Sequence, residues 1–165
     1  MKNALRSIAL LAVILSSLTL VANASVRMVA PVIPVSMDEA LADAQVLTSI
    51  HSDASVLQVS GSSMHPFFGN GSLLVIKPID ISKLRAGMVV VYTNRLGETV
   101  AHRLVSQQIN GWVVQGYNNS QPDSTLVDAS NLRGVVYATI HTSGEAQGLA
   151  SLASKLPVAL AAPAK

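Results

Sequence analysis

Residues 88–105 read MVVVYTNRLGETVAHRLV, two apolar runs joined by a short polar stretch. Runs of this length that are rich in Val, Thr and Tyr are typical of β-strands, and Asn94–Gly97 supplies the residues of a turn. The Asn110-Gly111 pair further along is a strong hairpin signal. Similar apolar runs recur at Ser72–Lys77, Gly111–Gln115 and Gly134–Ile140. The sequence therefore predicts a mainly β domain in which twisted antiparallel sheets form a partial barrel, with a few short helices.

The first 24 residues have the pattern of an export signal. Lys2 and Arg6 precede an uncharged apolar run that ends in Ala22-Asn23-Ala24. A positive head, an apolar middle and an A-x-A exit are typical of a signal peptide, and an uncleaved membrane anchor is the alternative. Either way, the positive-inside rule places the rest of the chain outside the cytoplasm, so we expect an exported, periplasmic or otherwise extracytoplasmic protein.

Four segments follow from these patterns. We assign residues 1–24 to the signal peptide or membrane anchor, 25–54 to a linker and short helix, 55–141 to the β domain, and 142–165 to an Ala-rich C-terminal tail. In the second segment, Ser36-x-x-Glu39 forms a capping box and starts a helix. Its apolar stripe predicts that this helix packs on the body of the domain.

Composition excludes several classes of protein. The 165 residues include 11 Lys+Arg and 9 Asp+Glu, a net charge of +2, too small for a nucleic-acid partner by charge alone. The chain has no cysteine, which rules out disulfides and cysteine-ligated metal sites. His51, His65 and His141 have no metal-ligand spacing. We therefore expect neither a metal nor a cofactor.

Three segments contain polar residues that a β domain without a functional site does not need. Residues 59–66 read VSGSSMHP, and a serine in such a tight loop can present its hydroxyl and its own backbone N–H to one small volume. In the run 99–105, His102 falls on the apolar strand face, as either a core histidine or a general base. Residues 116–123 form a polar loop whose Asp123 could orient a histidine. An ordinary loop or turn is the common alternative for the first and third segments.

Five motifs in this order resemble the catalytic core of type I signal peptidases, whose superfamily includes the LexA-like self-cleaving repressors. The motifs are Gly61-Ser-Ser-Met-His-Pro66, Gly87-Met-Val-Val-Val-Tyr92, Ala101-His-Arg-Leu-Val105, Gly116-Tyr-Asn-Asn119 and Gly134-Val-Val136. They lie between Val56 and Ile140, about half of the chain.

The resemblance implies specific roles. Ser63 would be the nucleophile, with its backbone N–H in the oxyanion hole, and His102 would be the base, as in the endoplasmic-reticulum and archaeal-type enzymes. Asp123 would be the third member. The residues implied for the oxyanion and substrate loop are Gly61, Ser62, Met64, Pro66 and Asn118.

The chain also departs from the family pattern. Tyr117 stands where the family has Asp, and Gly61 stands where some members have a serine, for which Ser62 or Ser60 could substitute. Phe67 and Phe68 are candidates for an apolar surface that touches lipid or substrate, or for plain core residues. Lys77 offers an alternative serine–lysine pair, although it lies outside the base motif.

We therefore expect a serine endopeptidase of signal-peptidase type that cleaves exported preproteins or peptides after small residues. The small-residue preference comes from the resemblance. Its partners would be a polypeptide substrate and the membrane surface, with no nucleic acid. One alternative is a non-catalytic exported module of the same fold that binds peptides. Another is a protease that cuts itself or a single partner.

Overall fold

The computed structural model describes residue 31 and residues 33–142. The predicted leader (1–24) and nearly all of the predicted tail (142–165) lie outside these residues. The elements are helix α1 (Met37–Ile50), strands β1 (Ser55–Gln58) and β2 (Leu73–Lys77), a 3-10 helix (Ile81–Lys83), and strands β3 (Val89–Thr93), β4 (Thr99–Gln108), β5 (Gly111–Gln115) and β6 (Leu132–Ile140). In the described part of the chain, no helix combines the length and apolarity needed to cross a membrane.

Six strands form one open antiparallel sheet in the order β1-β2-β6-β3-β4-β5, which confirms the mainly β prediction. Two strands are longer than their apolar runs. Strand β4 continues to Gln108 because its exposed end still pairs with β5, and β6 begins at Leu132, which pairs with Tyr92. Backbone hydrogen bonding with neighbouring strands therefore extends β4 and β6 beyond the residues that the hydrophobic pattern predicts to be strand.

Helix α1 begins at the predicted capping box. The Ser36 backbone N–H donates to Glu39 Oε2 (3.0 Å), and the Glu39 N–H donates to Ser36 Oγ (3.3 Å). The hydrogen bonds from Ser36 lower the pKa of the Glu39 carboxyl below its usual value. The apolar stripe packs on the sheet as predicted, in a cluster formed by Met37, Ala40, Leu41, Ala44, Val56, Leu73 and Val75.

Strands β3 and β4 carry different residues on their two faces. Directly paired residues of antiparallel strands share a face, and Tyr92 pairs with Val100 while Val90 pairs with His102. Tyr92 and His102 are therefore diagonal neighbours on one face. That face belongs to the cluster of Leu84, Val90, Tyr92, Leu104, Trp112, Val114 and Val127, and the other faces the cluster of Met64, Phe68, Leu74, Ile76 and Val91.

Two of the backbone edges that lack a partner strand in the described sheet belong to β4 and β1. Strand β5 pairs with β4 only from Arg103 onward, so Thr99–His102 has β3 on one side alone. Strand β1 pairs only with β2. Leu57 and Gln58 of the β1 edge line the same groove as Thr99–His102, as described below. The fold thus brings two polar backbone edges to the same opening.

The packing of the core around β2 predicts that shortening one buried side chain strongly lowers the stability of the fold. Leu74 is fully buried between β1 and β6, so Leu74→Ala should lower the free energy of unfolding by about 2–5 kcal/mol through lost burial and the cavity left behind. The measurement is urea unfolding. Leu96→Ala, at a side chain that is 76% exposed, is the matched control and should change stability by less than about 0.5 kcal/mol. Equal losses in both variants would contradict this packing.

Candidate active site

Ser63 lies in the loop between β1 and β2. Its neighbour Met64 is buried with Phe68 against Val91, which fixes the loop to the core. The turn before it requires a glycine, because Gly61 has a φ of 122°, and its N–H donates to Asn70 Oδ1 (2.5 Å). The loop therefore holds the half-buried Ser63 in one place.

Three predicted residues meet through hydrogen bonds. His102 Nε2 lies 2.9 Å from Ser63 Oγ, and His102 Nδ1 lies 2.5 Å from Asp123 Oδ2. A carboxylate only accepts, so Nδ1–H donates to Asp123, and Nε2 is left to accept the Ser63 hydroxyl proton. The backbone N–H of Asp123 donates to the Val114 carbonyl (2.9 Å), which holds the carboxylate beside strand β5. This arrangement can activate a serine hydroxyl as a nucleophile.

Tyr92 adds a fourth group to this chain of hydrogen bonds. Its hydroxyl donates to Asp123 Oδ2, the same oxygen that accepts from His102. Burial of Tyr92 and its hydrogen bond to Asp123 raise the pKa of the phenol well above its usual range. The phenol therefore stays protonated and remains a donor to the carboxylate.

Gly116 allows the loop after β5 to approach the serine loop. A Cβ atom at this position would lie 2.6 Å from the Ser63 carbonyl oxygen and 3.0 Å from His102 Nε2. Asn118 then ties the two loops together, since its N–H donates to the Ser63 carbonyl (2.8 Å) and its Nδ2 to the Ser62 carbonyl (3.2 Å). The glycine is needed here for space.

A groove of about 220 Å³ opens beside Ser63 and His102. Apolar side chains from both strand edges and from the serine loop form most of its wall. The lining residues are Leu57, Gln58, Val59, Ser60, Gly61, Ser63, Met64, Phe68, Glu98, Thr99, Val100, Ala101 and His102. The site therefore combines a hydrogen-bonded serine with an adjoining, largely apolar groove.

The residues predicted for the oxyanion and substrate loop divide into two groups. Gly61 and Met64 line the groove. Among the described residues, Ser62, Pro66 and Asn118 lie outside this lining, and the Ser62 carbonyl accepts from Asn118 instead. Asn118 and Ser62 thus join the two loops, and the predicted contact of these three residues with substrate stays a prediction.

The other candidates also have defined places. Phe68 is buried in the groove wall, whereas Phe67 is 52% exposed and stacks on Tyr117, with ring centroids 4.2 Å apart. The Arg103 guanidinium lies 4.6 Å from the centre of the Tyr117 ring, a cation–π contact. Lys77 contacts His51 (3.2 Å) and Asp53 (4.0 Å), so it does not form the alternative pair with Ser63.

No group of three or more potential metal ligands occurs within residues 33–142. The groups that meet at the site are a hydroxyl, an imidazole, a carboxylate and a phenol. Their chemistry is proton transfer and nucleophilic attack.

The family comparisons fit this geometry. The model of the Peptidase S24-like family matches residues 24–136, more than half of the chain. The chain belongs to the Peptidase S24-like family. It is also similar to signal peptidase I W of Bacillus subtilis (strain 168), with 34% identity over 80 residues that make up 46% of this chain and 42% of the relative. The chain thus spans less than half the length of this curated relative, and no solved structure matches it significantly.

Membership in the Peptidase S24-like family confirms the predicted superfamily and its open β fold. The sequence did not indicate Tyr92 as a site residue, although it ends one of the quoted motifs. Its role depends on the register that sets it diagonally to His102. The apolar run around it indicates only a buried strand.

The close approach of Gly116 predicts a loss of activity on adding a single methyl group. Gly116→Ala should push the Ser63 carbonyl and His102 apart and lower kcat/KM of the folded protein toward a peptide substrate by about 10- to 100-fold. Gly134→Ala is the matched control, because its Cβ would meet the Lys77 carbonyl at 2.4 Å, away from the groove lining. It should lower stability while the remaining folded protein keeps its kcat/KM. Equal activity losses in the two variants would contradict a local effect.

The hydrogen bond from Tyr92 predicts effects on rate and on alkaline stability. Tyr92→Phe keeps the ring but removes a donor to a charged acceptor, so kcat should fall about tenfold. The raised pKa means that unfolding releases the phenol proton above about pH 10, so the wild type should lose stability there. Urea unfolding at pH 9 and pH 11 should show a smaller loss for Tyr92→Phe. An equal loss in both proteins would contradict the buried phenol.

Proposed function

We propose that this protein is a serine endopeptidase of signal-peptidase type that cleaves exported polypeptides. The observation that carries the proposal is the ordered chain of contacts from Asp123 through His102 to Ser63, with the serine in the lining of a groove. Family membership and the similarity to a signal peptidase support the same class of reaction.

In the proposed mechanism, Ser63 Oγ attacks the carbonyl carbon of the scissile peptide bond while His102 Nε2 takes its proton. Asp123 holds the ring in the required tautomer and stabilises the imidazolium. His102 then gives the proton to the leaving amine, and an acyl-enzyme on Ser63 remains. A water molecule, deprotonated by His102, hydrolyses this ester and restores the serine. The Ser63 backbone N–H is the proposed oxyanion donor.

The groove supports an extended polypeptide as the substrate. The unpaired edges of β1 and of Thr99–His102 face it, and backbone edges of this kind bind extended peptides by adding them as a strand. Main-chain hydrogen bonds bind many sequences, so side-chain selection comes from the pockets. A groove of about 220 Å³ walled by Leu57, Met64 and Phe68 favours small apolar side chains near the cut.

The remaining parts of the proposal concern location and partners. The pattern of residues 1–24 supports an exported protein that is either released or held at the membrane by this segment. The exposed ring of Phe67 supports contact with a membrane surface near the site. The proposed substrate is therefore a preprotein or peptide presented outside the cytoplasm.

The test is cleavage of a preprotein and of a matching peptide by the full chain in detergent or lipid vesicles. Ser63→Ala and His102→Ala should each reduce kcat by about 10⁴-fold or more, because the groups act as one unit. Ser49→Ala and His51→Ala, a serine and a histidine outside the groove lining, are the matched controls and should retain activity. A folded wild type that binds the peptide without cutting it would overturn the proposal in favour of a peptide-binding module of the same fold.

A further inference from the structure

The groove carries one negative charge that the proposed mechanism does not use. Its lining contains only two ionisable side chains, Glu98 and His102. His102 is engaged by Ser63 and Asp123, whereas Glu98 lies at the exposed start of the same strand edge. The other groove residues are apolar or polar without a negative charge. A single carboxylate among them attracts a cationic group of a ligand.

The turn before β4 holds this carboxylate in place. Asn94 Oδ1 accepts from the backbone N–H groups of Leu96 and Glu98 (2.9 Å each), and Asn94 Nδ2 donates to Glu98 Oε2 (2.8 Å). This partner is a neutral amide, so the contact orients the carboxylate without cancelling its charge. A charge positioned in advance loses less conformational freedom when it binds a partner.

The strand geometry sets the distance between this charge and the reacting atoms. Glu98 precedes His102 by four residues in an extended segment, about 13 Å at roughly 3.3 Å per residue. A peptide that pairs with this edge advances at the same rate per residue. A side chain about four residues from the scissile bond therefore lies opposite Glu98.

We propose that Glu98 is a specificity-determining residue that selects substrates with a lysine or arginine about four residues from the scissile bond. The inference rests on the proposed peptidase function and adds a charge preference to its apolar groove. An ammonium or guanidinium group at that position pairs with the Glu98 carboxylate, while the residues beside the cut occupy the apolar wall formed by Met64 and Phe68.

The test uses fluorogenic peptides that share one cleavable core of small residues. Lysine, or glutamine as its neutral counterpart, is placed in turn at the second to the sixth residue on each side of the cut. For the wild type, the lysine-to-glutamine ratio of kcat/KM should peak at about the fourth residue on one side, at about two- to fivefold, the range of a solvent-exposed ion pair. The peak should shrink at high salt.

Two variants assign the preference to one side chain. Glu98→Gln can still accept from Asn94 and should bring the ratio to about one, while Glu98→Lys should favour a glutamate-bearing peptide at the same position. Asp43→Lys, an equal charge change on an exposed part of helix α1, is the matched control and should leave the ratio as in the wild type.

The outcomes separate this inference from the proposed function. A wild type that cleaves the glutamine peptides but shows no lysine preference overturns the role of Glu98 and leaves the peptidase proposal standing. A preference that Glu98→Lys does not change overturns the assignment to this residue. A folded wild type that cleaves no peptide overturns both.

Discussion

The contact between Gly116 and the Ser63 carbonyl is the constraint on which the site depends. It lets the loop after β5 lie directly against the loop after β1, two segments that the sheet order places far apart. Asn118 then fixes this contact with a backbone and a side-chain hydrogen bond. The serine and the aspartate are held to the same histidine because these two loops meet.

The four polar groups form a hydrogen-bonded chain in which donation converges on Asp123. Tyr92 and His102 both donate to Asp123, and His102 is thereby left to accept from Ser63. The strand register supports this order, because it sets Tyr92 and His102 on one face beside the core cluster. Asp123 is partly buried, and its two donors offset the cost of removing its carboxylate from water.

The sequence predicted the secondary-structure elements better than it predicted which residues contact one another in the folded protein. The capping box at Ser36, the hairpin at Asn110-Gly111 and the apolar face of His102 each follow from local periodicity or turn chemistry, and the structure has all three. The family motifs indicated Ser63, His102 and Asp123, which the structure brings together. The groove and Tyr92 could not be predicted in this way, because both depend on strand register and on edges from distant parts of the chain.

The hydrogen bonds of the site join residues that are distant along the chain. They link positions 39, 21 and 31 residues apart, and these positions come together in the native sheet and its loops. Loop-closure entropy opposes such contacts in an unfolded chain. The proposed activity therefore arises only with the native sheet, so folding itself serves as the activation step. Until the sheet is complete, the chain lacks the arrangement of Ser63, His102 and Asp123 on which the proposed cleavage depends.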